Sequence, residues 1–149
     1  MTPQGERLLK DFEGLRYKPY DDKDGQEFFP GDMLVGKLTI GWGRNLTDRG
    51  ISHDEAELMF QNDIEQATHD ANKLPWFGDL DAVRQDVIVM LCFNMGLGGL
   101  LTFKRMIASL VQCQWHQAAW ELSNSEWKNQ VGKERHDKLT NALETGRWD

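Results

Sequence analysis

The sequence predicts an α+β fold in which a small mixed N-terminal part, carrying a short antiparallel sheet, precedes a larger helical part. Three observations predict it. Turn signals at Lys18-Pro19, Asp24-Gly25 and Pro30-Gly31 separate short apolar pieces over residues 17–43, the pattern of a small sheet ending in Leu38-Thr39-Ile40. Beyond Ser52, apolar residues recur near the helical period. The chain has 149 residues, 40% of them hydrophobic, which suffices for one compact domain with a real core and argues against disorder.

Each element has its own warrant. Residues 3–14 read as a helix, and Gly41 and Gly43 around Trp42 let backbone approach closely. Ser52-His53-Asp54-Glu55 is a capping box, with Ser52 as N-cap and Glu55 reaching back, so a helix starts there. Its apolar positions Ala56, Phe60, Ile64, Ala67 and Ala71 carry it about five turns towards Pro75, long enough to bridge two lobes. The next helix, from about Asp81, becomes almost wholly apolar from Val87 to Phe93, which predicts a helix covered on all sides at the centre of the helical core. Further helices are expected over residues 101–111, 115–122 and about 133–144, broken by Gly96-Leu97-Gly98-Gly99 and by polar turns. No internal repeat or low-complexity linker interrupts the chain.

Charge and special residues narrow the function classes. A net charge of −7 argues against nucleic acid as a partner and sits awkwardly with an anionic substrate. Cys92 and Cys113 lie in apolar or helical surroundings without CxxC or Cys/His metal spacing; they read as free core thiols, with a single disulfide as the alternative. The N-terminal MTPQGERLLKDFEG lacks the apolar core of a secretory signal, and no stretch approaches a membrane span. The expectation is a soluble product made in the cytoplasm without stable membrane insertion, so that another agent must release it if its substrate lies outside. Neither cofactor nor metal is expected. Asp21, Asp22, Asp24 and Glu27 around Gly25 miss the alternation of a calcium loop, and His53, His69, His116 and His136 have no ligand spacing and read as surface residues. Asp63, Glu65 and Asp70 read as a solvated helix face.

The candidate chemistry lies in one short segment. Glu13 is followed nine positions later by Asp22, and then by Thr39 in a Gly-rich strand. A carboxyl pair is what a glycosidase needs: one group donates a proton to the leaving oxygen, and the other activates water or stabilises an oxocarbenium-like centre. Glu13 follows Leu8, Leu9 and Phe12, and an apolar wall there favours the protonated, acid form. Asp22 lies among charges and turn formers that keep it ionised, suiting the base or nucleophile role. Arg16, close behind Glu13, either supports the segment by pairing with a carboxylate or is an ordinary exposed Arg. Among the tryptophans, most are placed for packing; Trp42, adjoining Thr39, is the best candidate to stack on a sugar.

EGLRYKPYDD, TIGWG, DEAELMFQNDIEQA, LDAVRQDVIVMLCFNMG, TFKRM, WHQAAWEL and WKNQ follow one another along nearly the whole chain. In that order they resemble glycoside hydrolase family 24, the phage endolysins. The resemblance implies a two-lobed lysozyme-like fold with a cleft between the lobes. The sheet-bearing lobe would span about 13–55, the connecting helix about 52–72, and the helical lobe 1–12 with about 73–149. It also implies hydrolysis of the β-1,4 bond between N-acetylmuramic acid and N-acetylglucosamine in bacterial peptidoglycan, ending in host lysis. Glu13 would be the general acid, Asp22 and Thr39 would handle the water, and the anomeric carbon would invert. Phe93 would contact a sugar, Asn94 an acetamido group, and Trp42 and Asn45 would flank the substrate. Arg135 would support the catalytic Glu if one residue is inserted; without that insertion Glu134 falls there. A monomer released by a separate holin completes the family pattern.

Departures from the family concern the substrate. Extra residues between Asp22 and Thr39 include Phe28-Phe29-Pro30-Gly31, whereas the stretch from Thr39 to Ser52 is short, so the small lobe has been rebuilt. Arg44, Asn45, Met106, Glu121 and Glu126 replace family residues of different chemistry. The acidic balance weakens long-range attraction to an anionic wall. Two further readings therefore stand beside the muramidase. One is a catalytically weak lysozyme-like module that binds glycan or builds a virion; it has no chemical need for Glu13, Asp22 and Thr39 together. The other, a transglycosylase, needs the acid Glu but no water-activating Asp.

Overall fold

In the computed structural model, which describes residues 1–148, the local signals dictate most element boundaries. The first helix, α1 (Pro3–Glu13), starts where the Thr2 hydroxyl accepts the Gly5 N–H (3.2 Å) and Pro3 presets the first turn. It ends at Gly14, whose positive φ of 67° lets its N–H return to the Lys10 carbonyl (2.9 Å). The sheet is three-stranded and antiparallel in the order β1 (Arg16–Asp21), β2 (Leu38–Gly41) and β3 (Arg44–Asn45). Between the Arg16–Gly41 and Tyr20–Thr39 pairs, β1 takes four steps and β2 only two, a bulge where Pro19 has no N–H to give the ladder. The expected sheet is thus present, and Thr39 lies on its central strand.

Between β1 and β2 the inserted segment does not wander. It folds back along β1, with Phe28 N–H on the Pro19 carbonyl (2.9 Å) and a bridge between Tyr20 and Glu27, then turns at Pro30-Gly31. After β3 a one-turn helix, α2 (Leu46–Arg49), is capped by Asn45; it was not expected from the sequence. The capping box forms as predicted: Glu55 N–H donates to Ser52 Oγ (3.2 Å) and Ser52 N–H to Glu55 Oε2 (2.7 Å). The helix it opens, α3 (His53–Ala71), runs the predicted five turns.

Two compact units divide the chain, Met1–Glu57 and the part from Leu58 onward, with the boundary inside α3. The second unit holds α4 (Ala82–Leu100), α5 (Lys104–Val111), α6 (Trp115–Ser123) and α7 (Lys133–Thr145), with single 3-10 turns at Phe77–Asp79 and Glu126–Asn129. Its core joins Val87, Ile88 and Leu91 of α4 to Met106 and Leu110 of α5, Leu122 of α6, Trp127, and Leu139 and Leu143 of α7. Each such aliphatic side chain contributes about 1.5–3 kcal/mol by leaving water. The architecture is α+β and lysozyme-like.

Three expectations are corrected. Helix α4 is not covered on all sides: Val87, Ile88 and Leu91 are fully buried, but Met90 and Phe93 are 45% and 46% exposed, so the apolar run includes one open face. Cys113 is exposed at a turn with φ 55°, not a core thiol, and both it and the buried Cys92 are free. His136 is largely enclosed against the Trp127 ring at 6.1 Å rather than lying on the surface.

Candidate functional site

The first unit carries the three candidate catalytic residues. Glu13 ends α1, and its carboxylate lies against Gly43 in the β2–β3 turn, so close that a Cβ on Gly43 would stand 2.4 Å from Oε2. Gly43 also has φ 68°, so glycine is demanded twice, by conformation and by the neighbour. The same turn meets α1 through Lys10, whose ammonium sits 4.9 Å above the Trp42 ring. Glu13 is exposed and rests on backbone; the apolar wall expected from Leu8, Leu9 and Phe12 is not formed beside it, and Phe12 is exposed.

Asp22 and Thr39 are joined through a single residue. Lys37 N–H donates to Asp22 Oδ1 (2.6 Å), while the Lys37 carbonyl accepts from Asp22 N–H (3.0 Å) and from the Thr39 hydroxyl (3.1 Å). Thr39 is buried, and its donor is thereby assigned; its oxygen lone pairs stay available. Asp22 is exposed beside it. Among the described residues Arg16 pairs with no carboxylate: it donates to the Gly25 carbonyl (2.6 Å) and lies 4.3 Å over the Tyr20 ring, so it supports the turn after β1.

Asp21, which in sequence is only one member of an acidic cluster, is the most buried carboxylate described in this unit. It is 4% exposed and accepts the N–H groups of Lys23 (2.9 Å), Val35 (2.5 Å) and Gly36 (2.9 Å). Those amides, Gly36 and Lys23 foremost, hold its carboxyl below the usual range against the opposing effect of burial. Only long-range pairing distinguishes it from Asp22 and Asp24, so no local signal marks it.

At the other end of the unit, Arg44 grips Glu55 with two parallel hydrogen bonds (2.8 and 2.5 Å), and this pair, with the Ser52 N–H, drives the Glu55 carboxyl down to about 2. Asn45, a predicted substrate contact, has both ends of its amide engaged with Asp48 as the cap of α2.

In the second unit Phe93, Asn94 and Arg135 come together. With Asp86, Phe60 and Met90 they line an open pocket of about 430 Å³, in which Phe93 packs edge-on against Phe60 at 5.8 Å. The Asn94 side-chain carbonyl accepts the Trp127 indole N–H (2.9 Å), and its NH₂ has no hydrogen-bond partner among the described residues. Arg135 makes no ion pair among the described residues, whereas Glu134 pairs with Lys138 at 2.9 Å. Met106, Glu121 and Glu126, three of the departures from the family pattern, also converge, lining a second pocket of about 590 Å³ with Lys104 and Arg105. Their convergence across α5, α6 and the Glu126–Asn129 turn could not be read from their positions in sequence.

Comparison with known proteins gives these sites a family. The model of the phage lysozyme family matches residues 10–144. A protein of Dictyostelium discoideum described as "Probable T4-type lysozyme 1" is 31% identical, over 93% of this chain and 92% of its own. An "Endolysin" of Bacillus phage B103 is 27% identical, over 94% of this chain and 52% of its own. The "Pre-baseplate central spike protein Gp5" of Enterobacteria phage T4 is 26% identical, over 93% of this chain but only 27% of its own. With the family's model spanning all but the ends, and a relative aligned along almost its whole length, the chain belongs to the phage lysozyme family and is a lysozyme-type glycoside hydrolase.

Proposed function

We propose that this enzyme is an endolysin muramidase, hydrolysing the β-1,4 bond between N-acetylmuramic acid and N-acetylglucosamine in bacterial peptidoglycan and so lysing the host. Glu13 protonates the leaving oxygen, and Asp22 with Thr39 orients and activates the water, giving inversion. The observation that carries this reading is the shared residue Lys37, whose N–H holds the Asp22 carboxylate and whose carbonyl holds the Thr39 hydroxyl. A water accepting from neither but donating to both would be aligned by two oxygens whose positions backbone hydrogen bonds hold. Phe93 and the free NH₂ of Asn94 contact the glycan; Trp42 offers a half-exposed ring beside Glu13's turn, and Arg135 supplies positive charge. Asn45 serves the substrate only through the fold of α2.

The enzyme acts as a monomer, is made in the host cytoplasm, and reaches peptidoglycan after a separate holin permeabilises the membrane. No single helix among the described residues is long and apolar enough to cross a bilayer. The likeness to a spike protein favours a second reading, a lysozyme module of a virion, and the same experiment weighs it. Purified peptidoglycan is digested with wild type, Glu13→Gln and Asp22→Asn, and the released sugar ends are identified by mass spectrometry. Reducing N-acetylmuramic acid ends from wild type, with both variants inactive, are expected. Anhydromuramic ends would mean transglycosylation, and no cleavage by folded wild type would leave the module reading.

A further inference from the structure

We propose that Asp21 is the positioning residue of the hydrolytic site: its buried carboxylate closes the inserted loop and thereby sets Asp22 against Thr39. This rests on Asp22 and Thr39 being the pair that handles water. The geometry is specific. Asp21 ends β1 opposite Leu38, so it stands at the mouth of the loop that separates the two water-handling residues. Its Oδ1 accepts from Lys23 at the loop's start and from Gly36 at its end, both at 2.9 Å, and its Oδ2 from Val35 at 2.5 Å. One side chain thus ties together strands of chain 14 and 15 positions beyond it, offsetting the entropy of closing the loop.

The coupling to Asp22 is steric as well as through backbone. A Cβ on Gly36 would stand 2.6 Å from Asp21 Oδ1 and 2.2 Å from Asp22 Oδ1, so the two carboxylates share the space over one glycine. If the returning arm shifts, Lys37 shifts with it, and Lys37 is what holds Asp22 and Thr39. The charged neighbours at the site are Asp22 and Lys23; the amides of Gly36, Lys23 and Val35, with the Lys23 charge, favour the ionised form of Asp21 against the effect of burial. An Asn in its place retains the shape and one acceptor, but turns an NH₂ towards an N–H of the loop, donor against donor.

The test compares wild type, Asp21→Asn and Asp22→Asn on soluble peptidoglycan fragments, with thermal unfolding of each. Asp21→Asn is expected to lose about 10- to 100-fold in kcat with KM changed less than about twofold, because displacement of the water-handling group harms the transition state more than glycan binding. A kcat within about threefold of wild type, or a loss matched by the unfolded fraction, overturns the proposal. Should Asp21→Asn not fold, amide NMR on Asp22→Asn decides. As pH is lowered from about 6 to below the ordinary carboxylate range, where Asp21 takes up its proton, the Lys37 amide is expected to move in step with those of Lys23, Val35 and Gly36. A Lys37 amide indifferent to that step overturns the proposal. The two failures are separable: an active Asp22→Asn removes the underlying reading of the site, whereas an inactive Asp22→Asn beside an active Asp21→Asn removes only the positioning role.

Discussion

Gly41 and Gly43 flank Trp42 with nearly equal positive φ, 67° and 68°, yet only Gly43 meets another side chain. Alanine at either position costs about 1–2 kcal/mol of left-handed strain. At Gly41 the added Cβ enters open space; at Gly43 it displaces the Glu13 carboxylate. Gly43→Ala is therefore expected to lower kcat about 10-fold or more below Gly41→Ala while the two lose similar stability. Equal activities in the two variants, measured on the same peptidoglycan, would show that the Glu13–Gly43 contact has no part in catalysis. The motif TIGWG thus encodes two requirements that look identical in sequence and separate only when Glu13 arrives from α1.

At the scale of elements, the start of α3 shows how a local signal and a distant partner combine. Ser52→Ala removes the side-chain acceptor for the Glu55 N–H and is expected to cost about 1 kcal/mol, or roughly 3 °C in Tm for a domain of this size. Glu55 serves the cap and also receives Arg44 from β3, which lowers its carboxyl from 4.5 to about 2. A carboxyl whose folded value is depressed stabilises fully above its unfolded value and loses that contribution as pH falls through the folded one. The Tm advantage of wild type over Glu55→Gln should therefore be constant above about pH 5.5 and shrink between 4.5 and about 2. A difference that persists unchanged to pH 2 would count against the Arg44 pair as its source. The capping box was legible in four residues; the role of Arg44 was not, because eleven positions and the helix α2 separate it from Glu55.

For the molecule as a whole, the decisive unforeseen residue is Arg84 in the helical unit. It is 7% exposed in the first turn of α4, and each guanidinium nitrogen is satisfied: Nε by the Leu143 carbonyl (2.8 Å), Nη2 by that of Glu144 (2.6 Å) and Nη1 by Asp81 (2.5 Å). It thereby caps the C-terminal end of α7 from the start of α4, where a cation also meets the negative end of the helix dipole, while stacking 4.1 Å over Trp115. Arg84→Ala should destabilise by about 3 kcal/mol, lowering Tm by about 10 °C, through the orphaned carbonyls and the lost stacking. A thermal unfolding midpoint within about 2 °C of wild type would refute that account. Gly146 belongs to the same arrangement, since a Cβ there would come within 2.6 Å of Arg84 Nη1.

Neighbours along the chain were enough to set the ends of α1 and α3, the sheet closing on Leu38-Thr39-Ile40, and the helices after Pro75. Capping hydrogen bonds, turn residues and apolar period act within a few residues, so their signals are local. The carboxyl pair and the Gly-rich strand marked Glu13, Asp22 and Thr39 as candidates, and the family motifs suggested a role for each. Tertiary structure alone decided which groups meet. Asp21 and Asp22 are adjacent and alike in sequence, yet one is buried under three amides, two of them from the far side of an inserted loop, and the other is exposed. Likewise Met90 and Phe93 belong to an unbroken apolar run but face a pocket, because a helix turns its side chains through every direction while the core covers only some of them.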